Sequence, residues 1–369
     1  SEAEVLYRQS FEKFQSTINI NPRNQNAFYN WGINLSNLAT LKRGAEAEDL
    51  LRQAVEKFEQ VIAINPENEN AYYNWGVNLI YLAKLKQGKE SDDLYQAGFE
   101  KLQKVIELNP QYALAFLSWA RFLSDLAYTK EGATAENLHR QSFEKYEKII
   151  SINPNNDNAY YNWGTDLGNL AATREGNEAE TLYHQSFEKF EKATSINPRY
   201  ENAFYNWGIN LGNLAAIKSG AEADDLYHQS FEKYEKATSI NPENDDAFYN
   251  WGTNLSKLAS TKEGSEADDI YDQSFEKFAR AIKINPQYEN AYFNWGINLG
   301  NLAKRKNKAE AETLLLNSFE KFEKVTIIDP SNYIAYFNWG VNLGELAKLK
   351  DGKEADKLYL EAFEKFDEV

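Results

Sequence analysis

Proline and tryptophan occur eight times each in this chain of 369 residues, and neither is scattered. The prolines are Pro22, Pro66, Pro110, Pro154, Pro198, Pro242, Pro286 and Pro330, and the tryptophans are Trp31, Trp75, Trp119, Trp163, Trp207, Trp251, Trp295 and Trp339. Both series advance by 44 residues without a slip. A fixed period of that size marks a solenoid, whose short units cannot bury an apolar face alone and do so by stacking. A length that would otherwise suggest two or three domains therefore reads as one array over residues 1–369.

Two helical patterns alternate within a period. Residues 26–42, NAFYNWGINLSNLATLK, place Ala27, Phe28, Trp31, Gly32, Leu35, Leu38 and Ala39 on one stripe. Residues 45–64, AEAEDLLRQAVEKFEQVIAI, do the same with Leu50, Leu51, Ala54, Val55, Phe58, Val61 and Ile62. We term these helix A and helix B, so that each period is a helical hairpin. Gly44, Gly88, Gly132, Gly176, Gly220, Gly264 and Gly352 follow helix A, where a C-terminal cap with positive φ is expected, and acidic residues open helix B. Lys308 alone breaks that series, and Asn307 beside it is expected to take the left-handed conformation instead. Asn-Pro pairs such as Asn65-Pro66 end helix B, because a residue before proline is pushed out of the α region.

Phe28, Trp31, Gly32 and Leu35, then Ala54 and Phe58, then Pro66 fall at the offsets of the tetratricopeptide repeat (TPR), and Phe204, Trp207, Gly208, Leu211, Ser230, Tyr234 and Pro242 repeat them. The chain resembles that family along its whole length. The resemblance implies an all-α fold, a right-handed α-solenoid of stacked antiparallel helical hairpins in a TPR-like superhelix, with the A helices lining a concave groove that holds protein or peptide partners. Two departures stand out. Tryptophan takes the family's leucine position, and ten extra residues between Leu35 and Ala54 stretch the repeat to 44. Both helices should be longer than usual by about one to two turns, and the family's usual pitch and curvature do not transfer.

Residues 1–20 align with helix B, so the array opens on an unpaired B helix, continues through eight repeats of which the last is truncated, and comprises seventeen helices. Leu6, Tyr7, Phe11 and Phe14 keep the interior pattern where a capping repeat would be polar. Two expectations follow: the sequence is a segment of a longer protein, or its uncapped ends self-associate.

With eight copies serving as their own controls, positions that vary are candidates for recognition. On a helical wheel Phe28, Trp31, Leu35 and Leu38 face helix B, and Asn26, Tyr29, Asn30, Ile33, Ser36 and Asn37 lie roughly opposite. Asparagine costs about 0.5–0.7 kcal/mol in a helix relative to alanine, so its abundance here needs a reason. The residue before tryptophan is Asn30, Asn74, Asn162, Asn206, Asn250, Asn294 or Asn338, with Ser118 the exception. The resemblance implies that this row holds the backbone of an extended peptide, which suits a carboxamide carrying donors and an acceptor together. The alternative is that the row links neighbouring A helices. A second row, Asn34, Asn78, Asp166, Asn210, Asn254, Asn298 and Asn342, lies nearer the apolar stripe and should satisfy buried groups. A third, Asn37, Tyr81, Asp125, Asn169, Asn213, Lys257, Asn301 and Glu345, varies as a specificity row or a solvated face would.

Gly168, Gly212, Gly300 and Gly344 sit inside helix A, where close approach of another backbone is the expected reason, first that of a neighbouring A helix and second that of a bound peptide. The third repeat replaces the asparagine pattern with Leu114, Leu117, Ser118, Arg121 and Phe122, which form either an anchor site for a partner or a locally repacked hairpin. Tyr29, Tyr73, Tyr161, Tyr205 and Tyr249 stand where relatives that clamp chaperone carboxylates carry lysine, so that clamp is absent and extended basic or neutral segments suit the groove. The charged residues of stretches such as SFEKFEK are expected on a solvated outer face of helix B.

No cysteine is present, which removes disulfides and zinc–thiolate sites. His139, His184 and His228 all lie near the start of helix B, and equivalent helices are on the order of 10 Å apart, too far to share a metal, so they read as surface or packing residues. Phosphate loops, dinucleotide fingerprints, HExxH and nucleophile elbows are missing. No enzyme, cofactor or metal site is expected. A net charge of −16 opposes nucleic acid, and no apolar run of membrane-spanning length occurs, so the chain reads as soluble, with the cytoplasm favoured. The function expected is a non-catalytic protein-interaction scaffold, with a structural spacer or self-assembling array as the alternative and single-stranded RNA recognition third.

Overall fold

The computed structural model describes residues 2–368. It falls into two compact units, Ser1–Trp163 and Gly164–Val369, and among the described residues holds seventeen α-helices. The first unit contains α1 (Glu2–Ile20) and the hairpins α2 (Gln25–Thr40) with α3 (Gly44–Ile64), α4 (Glu69–Lys84) with α5 (Gly88–Leu108), and α6 (Ala113–Ala127) with α7 (Gly132–Ile152). The division falls inside α8 (Asp157–Ala171). The second unit contains α9 (Gly176–Ile196) and the hairpins α10 (Glu201–Ile217) with α11 (Gly220–Ile240), α12 (Asp245–Ser260) with α13 (Gly264–Ile284), α14 (Glu289–Ala303) with α15 (Lys308–Ile328), and α16 (Tyr333–Lys348) with α17 (Gly352–Asp367). Even-numbered helices are A helices and odd-numbered ones B helices.

Both turns of the repeat follow from local chemistry. Helix B ends where Asn65, forced extended by Pro66 (φ −136°, ψ 94°), donates its N–H to the Val61 carbonyl. The Asn65 side chain then accepts the Glu67 N–H at 3.2 Å, and Asn68 caps the next helix by accepting the Ala71 N–H at 2.9 Å. At the other turn α2 closes with the N–H groups of Leu41 and Lys42 on the carbonyls of Leu38 and Ala39. Gly44 has φ +58°, and the six equivalent glycines are likewise left-handed. They open helix B, however, rather than capping helix A, since an extended Arg43 (φ −136°, ψ 158°) lies between. Asn307 also departs from expectation. It is extended (φ −64°, ψ 165°) and caps α15 by accepting the N–H groups of Ala309 and Glu310, so Lys308 needs no positive φ.

Packing within a hairpin rests on a glycine. A Cβ on Gly32 would lie 2.8 Å from the Phe58 ring, and one on Gly208 the same distance from Tyr234, so helices A and B meet at the aromatic ring. Leu35, Leu38, Ala54, Phe58 and Val61 are fully buried around that contact. The tryptophans join three helices rather than two. Trp31 stacks on Phe11 of α1 (6.1 Å between centroids) while Lys57 of α3 places its ammonium 4.2 Å from the ring centroid; in the second unit Trp295 lies between Phe275 (6.0 Å) and Lys321 (4.5 Å) in the same way. Part of the charge on helix B is therefore not a solvated face but a cover over indole rings, each contact contributing about 0.5–2 kcal/mol.

Successive A helices touch within each unit (α2 with α4, α4 with α6, α10 with α12, α12 with α14, α14 with α16), whereas among the described residues successive B helices of a unit make no close backbone approach. Along the edge where A turns into B, an ion-pair ladder joins the repeats. Lys42 meets Glu4 at 2.8 Å and Glu46 at 3.1 Å, and Lys86–Glu48 and Lys218–Glu180, both 2.7 Å, repeat the rung.

Candidate functional site

The A helices bring most of the expected residues to one face of each unit. Asn26, Asn30, Asn37, Tyr81, Asn169 and Asn301 are exposed, and Tyr29, Asn74, Asn162, Asn206, Asn213, Asn250, Asn294 and Asn338 are half-buried. The half-buried amides are engaged. Asn74 donates to the Tyr29 hydroxyl of the preceding A helix at 3.1 Å, Asn250 to Tyr205 at 3.0 Å, and Asn294 to Tyr249 at 3.0 Å. In the third repeat Ser118 replaces asparagine and meets the Tyr73 hydroxyl at 2.8 Å. Asn206 reaches Thr165 at 3.2 Å, and Asn162 and Asn338 donate to carbonyls of their own helices, Asn158 and Ile334. By its position alone this row could bind a ligand or link A helices. The linking bonds are present.

These bonds consume only donors. Among the described residues the Oδ1 atoms of Asn74, Asn250, Asn294 and Asn338 have no partner, while Nδ2 of each is occupied. Burial pushes the Tyr29 hydroxyl above its ordinary pKa, and burial followed by the charge of Asp246 pushes Tyr205 up to about 12, so both remain protonated acceptors for the amides at neutral pH. The A helices of each unit therefore present tyrosine rings and amide oxygens that lack donors.

The deeper row behaves differently. Asn210 and Asn254, nearly buried, donate to Ser186 at 3.0 Å and Ser230 at 3.1 Å of the preceding B helices, and Asn342 to Ser318 at 2.9 Å. These amides explain the glycines inside helix A. A Cβ on Gly168 would lie 1.9 Å from Asn210 Nδ2, on Gly212 2.1 Å from Asn254 Nδ2, and on Gly300 2.5 Å from Asn342 Nδ2. The visitor is a side chain of the next A helix rather than its backbone. Where serine stands instead of glycine, Ser36 donates to Asn78 at 2.8 Å and Ser256 accepts from Asn298, so the hydroxyl joins the amide.

The variable row holds Lys257, which with Thr253, Ser256, Asn294, Asn298 and Asn301 lines an open recess of about 240 Å³. In the third repeat the five candidate anchors do not form one patch. Phe122 is 8% exposed, packed with Ile80, Tyr95 and Leu102, and edge-on to Tyr81 at 5.9 Å; it is core, because it stands 44 residues after Asn78, in the register of the deeper, buried asparagine row, and packs against the preceding hairpin. Leu117 packs in the cluster around Tyr146 and Ser118 is tied to Tyr73, which leaves Leu114 and Arg121 exposed. His139 is buried edge-on to Tyr128 at 5.1 Å, and His184 and His228 lie against Phe187 and Phe231 at 5.5 Å. Among the described residues no group of three metal-ligating side chains occurs, and no helix is long and apolar enough to cross a membrane.

Comparison with known proteins agrees with this architecture. The family model of the plant-specific mitochondrial import receptor subunit TOM20 matches residues 3–114 and 181–293. Among solved structures, the C-terminal part of a TPR repeat-containing protein from Cytophaga hutchinsonii has a TM-score of 0.54 at 12% identity, with 84% of this chain and 98% of that one covered. YrrB, a TPR protein with an unusual peptide-binding site, has a TM-score of 0.42 at 19% identity over 63% of this chain and 95% of its own. Human IFIT1, in a dimer with PPP-AAAA, has a TM-score of 0.43 at 13% identity over 93% and 71%. No curated protein matches the chain. The fold is that of a TPR protein whose repeat has grown to 44 residues.

Proposed function

From the premise that this chain belongs to the family of the plant-specific mitochondrial import receptor subunit TOM20, we propose that it is a non-catalytic scaffold binding extended protein segments along its A-helix face. The observation that carries the reading is the row of amide oxygens on Asn74, Asn250, Asn294 and Asn338, whose donors are occupied and whose acceptors are open. A row of open acceptors favours a donor-rich ligand, namely the N–H groups of an extended backbone and arginine or lysine side chains. The net charge of −16 favours the same ligands. The family's description names an import receptor, and mitochondrial transit segments are Arg-rich and poor in acidic residues. Such segments are the ligand class that fits.

The linking bonds favour a second reading, in which the amides only join repeats and the array is a spacer. Changing Asn206, Asn250 and Asn294 together to alanine separates the two. Each hydrogen bond lost costs about 1 kcal/mol and each helix propensity gained returns about 0.5–0.7 kcal/mol, so stability should change little. We expect the triple variant to lose most of its affinity for an Arg-rich transit peptide, measured by fluorescence anisotropy, with its melting temperature within a few degrees of the parent. Unchanged affinity with a large fall in melting temperature would leave the spacer.

A further inference from the structure

An open recess at the edge where an A helix turns into its B helix occurs in both units. In the first unit it measures about 430 Å³ and is bordered by Lys84, Lys86, Asp92, Tyr95, Asp125 and Lys130. In the second unit, three periods later, it measures about 550 Å³ and is bordered by Ala216, Lys218, Asp224, Tyr227, Lys257 and Lys262. Two of these positions differ between the units: Ala216 stands for Lys84, and Lys257 for Asp125.

The first recess supplies its own carboxylate. Asp125 meets Lys84 at 2.5 Å, and its charge adds to burial in raising the pKa of the Tyr95 hydroxyl, a side chain only 5% exposed. The second recess has donors without that acid. Its one carboxylate, Asp224, is bonded to Lys262, and Lys218 to Glu180 and Glu222 at 2.7 and 2.8 Å, so these groups are spent on the ladder. Lys257, at the exposed rim, has no ion-pair or hydrogen-bond partner among the described residues. Neither has the hydroxyl of Tyr227, a residue 4% exposed, although a hydroxyl so deeply buried normally has one. Burial lowers the pKa of Lys257 and raises that of Tyr227, the directions it imposes where no opposite charge offsets it.

We propose that the second recess is a subsite for one acidic side chain of a segment lying on the A-helix face, its carboxylate accepting from the Lys257 ammonium and the Tyr227 hydroxyl. Lys257 also borders the recess lined by Asn294, Asn298 and Asn301, and so joins the subsite to the amides of that face. Asn213 and Asn301 hold the same repeat position on the A helices before and after it, so an extended segment passes Lys257 on both sides and presents a side chain there rather than its end. The subsite presupposes that segments bind along this face as proposed above, and it adds their register. The ammonium repels arginine and lysine at one position, where a carboxylate gains a charge-assisted bond. A basic segment with a single acidic residue therefore has one preferred alignment.

A set of amidated Arg-rich transit peptides, in which one glutamate or one glutamine is moved along the sequence, tests this by fluorescence anisotropy at low salt. We expect one position at which glutamate binds about three- to tenfold tighter than glutamine. That preference should vanish in Lys257→Ala and in the double variant Ala216→Lys/Lys257→Asp, which builds the first unit's ion pair into the second, with melting temperatures near the parent's. Tyr227→Phe should reduce the preference and leave the glutamine peptides unaffected. Affinity indifferent to the position of glutamate, or a preference that survives Lys257→Ala, would overturn the subsite even where the triple asparagine variant still weakened the same peptides. Tighter binding of free-acid than of amidated peptides in place of any glutamate preference would assign the recess to a chain end and overturn it too. Peptides bound equally by the parent and the triple variant would overturn the A-helix face as their site, and the subsite with it.

Discussion

Alanine at Gly212 and at Gly344 is the same substitution at the same repeat position, yet the two should move stability in opposite directions. At Gly212 the new Cβ would fall 2.1 Å from Asn254 Nδ2 and 2.7 Å from its Cγ, far inside contact distance, so the amide must leave. Asn254 is 5% exposed and donates to Ser230 at 3.1 Å. Displacing it leaves a buried amide without its bond, a cost of about 1–3 kcal/mol, against about 1 kcal/mol recovered from helix propensity. The net is a destabilisation of about 0–2 kcal/mol. At Gly344 the Cβ meets nothing, and only the gain of about 1 kcal/mol remains. Because a solenoid opens by sections, hydrogen exchange resolved by peptide is the suitable assay. Exchange in α10 and α12 should accelerate by up to about thirtyfold in Gly212→Ala, and exchange in α16 should slow about fivefold in Gly344→Ala. Adding Asn254→Ala to Gly212→Ala removes the collision and should recover part of the loss. Slowing of exchange in both single variants would refute the assignment of these glycines to the neighbouring amides.

Lys277 holds its ammonium 3.8 Å from the Trp251 centroid, and burial lowers its pKa. Lys277→Met should cost about 0.5–1 kcal/mol, read as a two- to fivefold faster exchange in α12 and α13. Asn307→Ala should cost α15 about 1 kcal/mol and Asn307→Gly only a few tenths, measured as exchange in the first turn of that helix. The ladder sets the acid response: hydrogen bonds from Lys42, Lys86 and Lys218 hold Glu4, Glu48 and Glu180 below the usual carboxylate range. Their folded pKa values lie under the unfolded ones, so the unfolded state binds more protons, and the contribution is complete above about pH 4.5 and lost as pH falls through the folded values. Melting temperature should hold from pH 7 to 5 and fall below about pH 4.5; a rise in that range would contradict the ladder.

The periodic part of this fold was legible because it is local. Pro66 stops helix B through the conformation of the residue before it, and the left-handed glycines reveal themselves by spacing. What sequence spacing hid was mostly lateral. Asn74 meets Tyr29 from 45 residues away, and nothing on one helical wheel announces that pairing. The interior glycines correctly signalled close approach, but distinguishing a neighbouring backbone from a neighbouring amide needs the stacking geometry. The burial of Phe122 was legible in the repeat register, since it falls 44 residues after Asn78 in the row nearer the apolar stripe, although its size and its place beside the exposed Arg121 pointed to an anchor. Lys57 and its equivalents looked solvated because cation–π partners on another helix leave no mark in a charge pattern.

Binding of extended segments along the A-helix face is the central function proposed for this chain. An Arg-rich transit peptide carrying a benzoylphenylalanine photoprobe at successive positions, bound at low salt, irradiated and mapped by mass spectrometry, tests that directly. The prediction is adducts on α10, α12 and α14 around Tyr205, Asn250, Asn294 and Asn301, diminished in the triple asparagine variant. Adducts confined to the B helices, or unaltered by that variant, would contradict it.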